Sequence, residues 1–116
     1  MPVIKSSDTA WGPGATPNYK RRVFVSPETG SGAITLGEVS LDPGSELPMH
    51  THRIEEAMMI SRGSVTVVLN GETHVLKAGD ALLVPAGTKH TLGNRSKDIA
   101  GFYFFYPGVE VRMDKV

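Results

Sequence analysis

An all-β fold is what the sequence predicts, and three observations predict it. Apolar residues recur with a period of two in short runs, as on the half-buried face of a strand. Thirteen Gly and eight Pro among 116 residues exceed average usage while aliphatics stay plentiful, so the excess reads as tight turns and not as disorder. No window of 11 residues holds a 3.6-residue apolar period free of Gly or Pro. The length is that of one domain with one modest core.

The elements follow in order. Residues 1–20 carry three prolines and the Gly12-Pro13-Gly14 breaker, which predicts an extended arm on the surface. Val23 and Val25 open the first strand, Pro27 to Gly32 turns, and Ile34, Leu36, Val39 and Leu41 alternate around Gly37 in a second strand with a bulge. Asp42-Pro43-Gly44 turns again. Strands are then expected at Glu56 to Ser61, Ser64 to Leu69 and Glu72 to Leu76, split by Arg62-Gly63 and Asn70-Gly71. Asn-Gly is a strong two-residue hairpin signal because both central residues of a type I′ turn need positive φ. Ala81 to Val84 is stopped by Pro85, and His90 to Leu92 and Ile99 to Tyr106 complete about eight or nine strands. A sandwich or barrel over 21–110, between the arm at 1–20 and a tail at 111–116, is the expected organisation.

Composition excludes several function classes. Twelve basic residues balance twelve acidic ones, leaving no global field for nucleic acid or anionic lipid. Without cysteine there is no disulfide, thiolate metal site or sulfur nucleophile. No apolar run is long enough for a membrane span, and the first residues do not read as a signal peptide. A cytoplasmic protein with no nucleic-acid or membrane partner is the expectation.

Chemistry concentrates in one constellation. His50 and His52 are two apart, so on an extended chain both imidazoles point to the same side. Glu56 shares their parity if the chain keeps its face; Glu55 points the other way. His90 lies 34 residues beyond Glu56, past two hairpins, where an antiparallel barrel can bring it opposite. Three imidazoles and a carboxylate suit one divalent transition ion, whether Mn, Fe, Co, Ni, Cu or Zn. On an octahedral ion they leave two positions open; on tetrahedral zinc they leave none.

The residues around these four resemble the two cupin motifs. Gly44 is followed by five residues, His50-Thr51-His52, three residues, Glu56, six residues and Gly63; Gly79 by five residues, Pro85-Ala86-Gly87, two residues, His90, three residues and Asn94. Every fixed position of both motifs is filled, and the similarity extends over roughly Val23 to Tyr106. The resemblance is to the small single-domain cupins. It implies a double-stranded β-helix, or jelly-roll barrel, of six to eight strands, commonly a homodimer, with a metal held by His50, His52, Glu56 and His90.

Other residues carry less. His74, in a hairpin strand outside both motifs, reads as a surface histidine, and Asn94 as a turn-satisfying polar group. Met58 and Ile60 share the parity of Glu56 and with Leu92 are expected to line a substrate pocket, core packing being an equal alternative for the first two. Lys20-Arg21-Arg22 reads as a solvated strand end, and no inward Arg or Lys cluster is expected. Trp11 reads as an anchor for the arm. The function expected is that of a metal-dependent enzyme acting on a small phenolic, enolic or keto substrate by dioxygenase-, isomerase- or lyase-type chemistry, dioxygenase-like being favoured. Glu56 is its catalytic candidate, with Arg53, Tyr103 and Tyr106 the remaining acid or base groups. The alternative is a non-catalytic small-molecule binding or sensing module with a structural metal.

Overall fold

The computed structural model describes residues 2–110 and 113–116. Eleven strands form among them: β1 (Gly12–Pro13), β2 (Tyr19–Val25), β3 (Thr35–Leu41), β4 (His50–Thr51), β5 (Glu56–Arg62), β6 (Ser64–Leu69), β7 (Glu72–Lys77), β8 (Ala81–Val84), β9 (His90–Gly93), β10 (Ala100–Tyr106) and β11 (Asp114–Lys115). They pair antiparallel in two sheets, a six-stranded one ordered β1-β2-β3-β10-β5-β8 and a five-stranded one ordered β11-β4-β9-β6-β7. This is the jelly-roll barrel expected. Among the described residues no helix is long and apolar enough to cross a membrane.

Period-two alternation decides which side chains enter the interior. In β3 every second residue from Thr35 to Leu41 is buried, and in β5 Glu56, Met58 and Ile60 are buried while Ala57 and Met59 face out. β10 presents Phe102, Phe104 and Tyr106 inward and Tyr103 and Phe105 outward. These faces meet Val65, Val67 and Leu92 of the opposite sheet in one core, the layered arrangement that buries a single apolar face per sheet. The strand β9 is buried on both faces. Its outer side is covered by the segment after the Asp42-Pro43-Gly44 turn: Glu46 bridges Gly93, and the Thr91 hydroxyl donates to the Leu47 carbonyl.

Local signals hold where backbone geometry is demanding. Asn70 and Gly71 both take positive φ, 48° and 85°, and join β6 to β7 in register from Leu69↔Glu72, as a type I′ turn requires. The bulge lies opposite the expected position. Val23 pairs with Gly37 and Val25 with Leu36, so the extra residue, Phe24, belongs to β2. Gly37 has a packing reason instead, since a Cβ there would sit 2.2 Å from the Phe104 ring.

The N-terminal segment departs from a bare extended arm. The strand β2 begins at Tyr19, and Gly12 and Pro13 pair with Arg21 and Lys20. Gly14 permits this, because a Cβ on it would fall 2.1 Å from the Tyr19 ring, whose hydroxyl accepts the Ala15 N–H at 2.7 Å. Trp11 lies under the Arg22 guanidinium, 4.3 Å from ring centroid to Cζ. That guanidinium also pairs with Glu38 at 2.7 Å and donates to the Ser6 and Thr9 carbonyls. Arg22 is therefore an organising residue and not a solvated one. Part of the expected tail joins the fold as well: β11 pairs with β4, Asp114↔Thr51 and Lys115↔His50. Val111 and Arg112, which the tail includes, lie outside the described residues.

Candidate metal centre

Four sequence-selected side chains converge at one end of the interior. His50 on β4 stands directly across the sheet from His90 on β9, so their rings come within 4.1 Å of each other, as cross-strand neighbours do. His52 follows β4, and the chain bends at Arg53 and Ile54 before β5 begins at Glu56. It does not stay extended, yet Glu56 ends on the same side. Donor atoms of His50, His52 and His90 all lie within 4.8 Å of one another, and Glu56 Oε1 is 3.6 Å from His52 Nε2 and 3.4 Å from His90 Nε2. For metal–ligand bonds of about 2.1 Å, cis and trans donors are about 3.0 and 4.2 Å apart, so small shifts suffice for coordination.

Two backbone carbonyls orient the imidazoles. The His50 Nδ1–H donates to the Pro48 carbonyl at 2.6 Å and the His90 Nδ1–H to the Thr88 carbonyl at 2.9 Å. A carbonyl only accepts, so both Nδ1 atoms carry the hydrogen when the ring is neutral and both Nε2 atoms present lone pairs. Burial, outweighing the Pro48 hydrogen bond, lowers the His50 pKa to about 4, which keeps the ring neutral at pH 7.

All four side chains are buried, 5% exposed or less. Within them His90 Nε2 and Glu56 Oε1 have no hydrogen-bond partner. A lone pair facing a carboxylate oxygen at 3.4 Å without an intervening proton or cation is an unfavourable arrangement for buried groups. The three imidazoles could therefore hold a divalent cation among them, with the Glu56 carboxylate alongside, and neutral imidazole suits transition ions.

A cavity of about 100 Å3 opens onto this cluster. Leu92 lines it, whereas Met58 and Ile60 pack in the core, the alternative stated for them above. Their parity points them inward, and both join the core cluster. Residues that sequence reasoning did not place there complete the lining: Tyr19, Arg21, Leu47, Phe102, Phe104 and Met113 among them. Arg21 shares the parity of Tyr19 on β2, which was the available signal. Arg21 is exposed overall, as a solvated strand end would be, and also lines the cavity, a position that the reading of Lys20-Arg21-Arg22 did not include.

Of the three acid or base candidates, the fold selects one. The side chain of Arg53 is 69% exposed, beside Asp114, and Tyr103 lies on the outer face. Tyr106 lines the cavity, its hydroxyl 3.0 Å from His52 Nε2. Burial first, then the Glu56 carboxylate and a hydrogen bond to it, push that hydroxyl well above the usual phenol range. Asn94 is occupied structurally, donating to the Leu41 and Asp98 carbonyls and accepting from Ser96. His74 is half exposed beside Glu72.

Comparison with known proteins agrees with this architecture. A family model described as a cupin domain matches residues 37–106. The chain is 31% identical over 94 residues to the polyketide synthase protein CurC of Streptomyces cyaneus, covering 76% of this chain and 61% of that one. It is 32% identical over 76 residues to the tetracenomycin polyketide synthase protein TcmJ of Streptomyces glaucescens, covering 64% and 51%. It thus spans between half and two-thirds of the length of these relatives. Among solved structures, the polyketide cyclase RemF of Streptomyces resistomycificus superimposes with a TM-score of 0.89 at 22% identity, over 100% of this chain and 85% of the other. With more than half of its length matched by that model, the chain belongs to the cupin family.

Proposed function

We propose that this cupin is a metal-dependent enzyme acting on a small, oxygen-bearing, polyketide-like substrate, with His50, His52, Glu56 and His90 as the metal ligands. The observation that carries it is the pair of unpartnered buried acceptors, His90 Nε2 and Glu56 Oε1, of which Glu56 lines a cavity walled by Phe102, Phe104 and Tyr106. A bound divalent ion supplies Lewis acidity toward a substrate carbonyl or enolate oxygen. The aromatic walls favour a flat, conjugated substrate and keep bulk water from it. Tyr106, holding its proton across the physiological range, is placed to donate a hydrogen bond to a carbonyl oxygen. Glu56, besides ligating, is the carboxylate available to accept a proton from carbon between two carbonyls.

The sequence relatives CurC and TcmJ are polyketide synthase proteins and the structural neighbour RemF is a polyketide cyclase, which supports cyclisation of a poly-keto chain over oxygen-dependent chemistry. Cyclisation by aldol addition and loss of water needs proton transfers but no oxidant. Elemental analysis of protein purified without added metal, followed by parallel assays, tests this. Metal-dependent conversion of a linear poly-β-ketone to an aromatic product without oxygen uptake supports the proposal. Oxygen uptake abolished by His52→Ala moves the assignment to a dioxygenase. Tightly bound metal with no turnover of either kind makes it a binding module.

We also propose that the chain forms a homodimer through the outer face of the six-stranded sheet. Met59, Tyr103 and Phe105 are 49%, 42% and 37% exposed there around a groove shared with Phe24, Leu36 and Ala57. Clustered exposed apolar side chains of this kind mark association surfaces.

A further inference from the structure

We infer that Arg21 recognises an anionic group of the substrate, a carboxylate or an acidic phenol or enol oxygen at the end remote from the metal ligands. This rests on the proposed reading of the cavity as a substrate site and names the substrate's charge. Among the described lining residues Arg21 is the one side chain with a permanent positive charge. It is exposed overall and yet lines the cavity, which places it at the mouth. Its guanidinium Cζ stands 5.3 Å from the centroid of the Phe104 ring, a stacking that steadies the side chain while leaving its N–H edge free to bind. Phe104 is itself held in that position because its ring lies over Gly37.

The neighbouring arginine makes the contrast. Arg22 points to the other face of β2 and is committed to Glu38 by two hydrogen bonds. Among the described residues no carboxylate forms an ion pair with Arg21. An unpaired arginine beside an aromatic-walled cavity has the planar donor fork that carboxylates and phenolates accept, and Tyr106 lines the same cavity. A neutral substrate gains nothing from it.

Benzoate and its neutral counterpart benzyl alcohol test the inference. Both are titrated by NMR into metal-loaded and chelator-treated protein, using wild type, Arg21→Gln and Arg21→Lys. The wild type is expected to bind benzoate about tenfold more tightly than benzyl alcohol, the scale of one charge-assisted contact. Arg21→Gln should abolish that preference without changing benzyl alcohol affinity or metal content, and Arg21→Lys should keep part of it. Equal benzoate affinity in wild type and Arg21→Gln, or no preference in wild type, overturns the inference. If the wild type takes up no metal, the functional proposal fails, and the benzoate preference of the chelator-treated protein still decides for or against Arg21.

Discussion

Replacing Glu56 by glutamine should raise the melting temperature of the metal-free protein and lower that of the metal-loaded one. In the metal-free state Glu56 Oε1 and His90 Nε2 are buried acceptors 3.4 Å apart with no partner. A glutamine amide of the same shape supplies an N–H that the His90 lone pair accepts, while its carbonyl still accepts from Tyr106. Leaving a buried polar group unsatisfied costs about 1–3 kcal/mol. For a domain of this length 1 kcal/mol corresponds to about 4 °C, so Glu56→Gln without metal should melt roughly 4–8 °C higher, taking the lower part of that range.

With metal the sign reverses. At a free metal concentration about 1,000 times Kd, binding stabilises the wild type by about 4 kcal/mol, or about 16 °C. An affinity weakened about 100-fold by losing the anionic ligand leaves about 1.4 kcal/mol, or about 6 °C. Differential scanning calorimetry with chelator and with each divalent ion measures all four states. The reasoning is refuted if the metal-free variant melts at or below wild type, or if its metal-induced shift equals that of wild type.

Further outcomes follow from the same geometry. His50 takes up a proton near pH 6.5 when unfolded but only near pH 4 when folded; the unfolded state is favoured by protons, so metal-free stability falls as pH drops from 6.5 toward 4, by up to about 3 kcal/mol from this residue. In chelator, urea unfolding of His50→Gln should show a shallower loss over that interval, and identical slopes would count against the assignment. Tyr106→Phe keeps the ring packing against Phe104 but removes the hydroxyl beside His52. It should cost about 1 kcal/mol of stability and reduce turnover roughly 100-fold with metal content intact, as read by elemental analysis beside kinetics. Tyr103→Asp, on the outer face, should convert a dimer to a monomer in light scattering at micromolar concentration; a wild type already monomeric there would refute the dimer.

Strand positions and turns were legible because their causes are local. Alternation in β3, β5 and β10, positive φ at Asn70 and Gly71, and the spacing of His50, His52 and Glu56 all depend on residues close together in the chain, and His90 was found by the spacing within its own motif. What parity encodes, however, is which face a side chain joins and not how far along the barrel it lies. Met58 and Ile60 have the inward parity of Glu56 and miss the cavity; Arg21, Tyr106 and Met113 reach it from β2, the end of β10 and the start of the C-terminal segment. Depth is set by register between strands distant in sequence, such as Gly37↔Phe104 and Thr35↔Tyr106. The sequence by itself indicated the longer strands and the four candidate donors, whereas only tertiary pairing decided the short strands β1, β4 and β11 and which aromatic, basic and hydroxyl groups share a cavity with those candidates, because axial position in a closed sheet is a property of the whole hydrogen-bonded ladder.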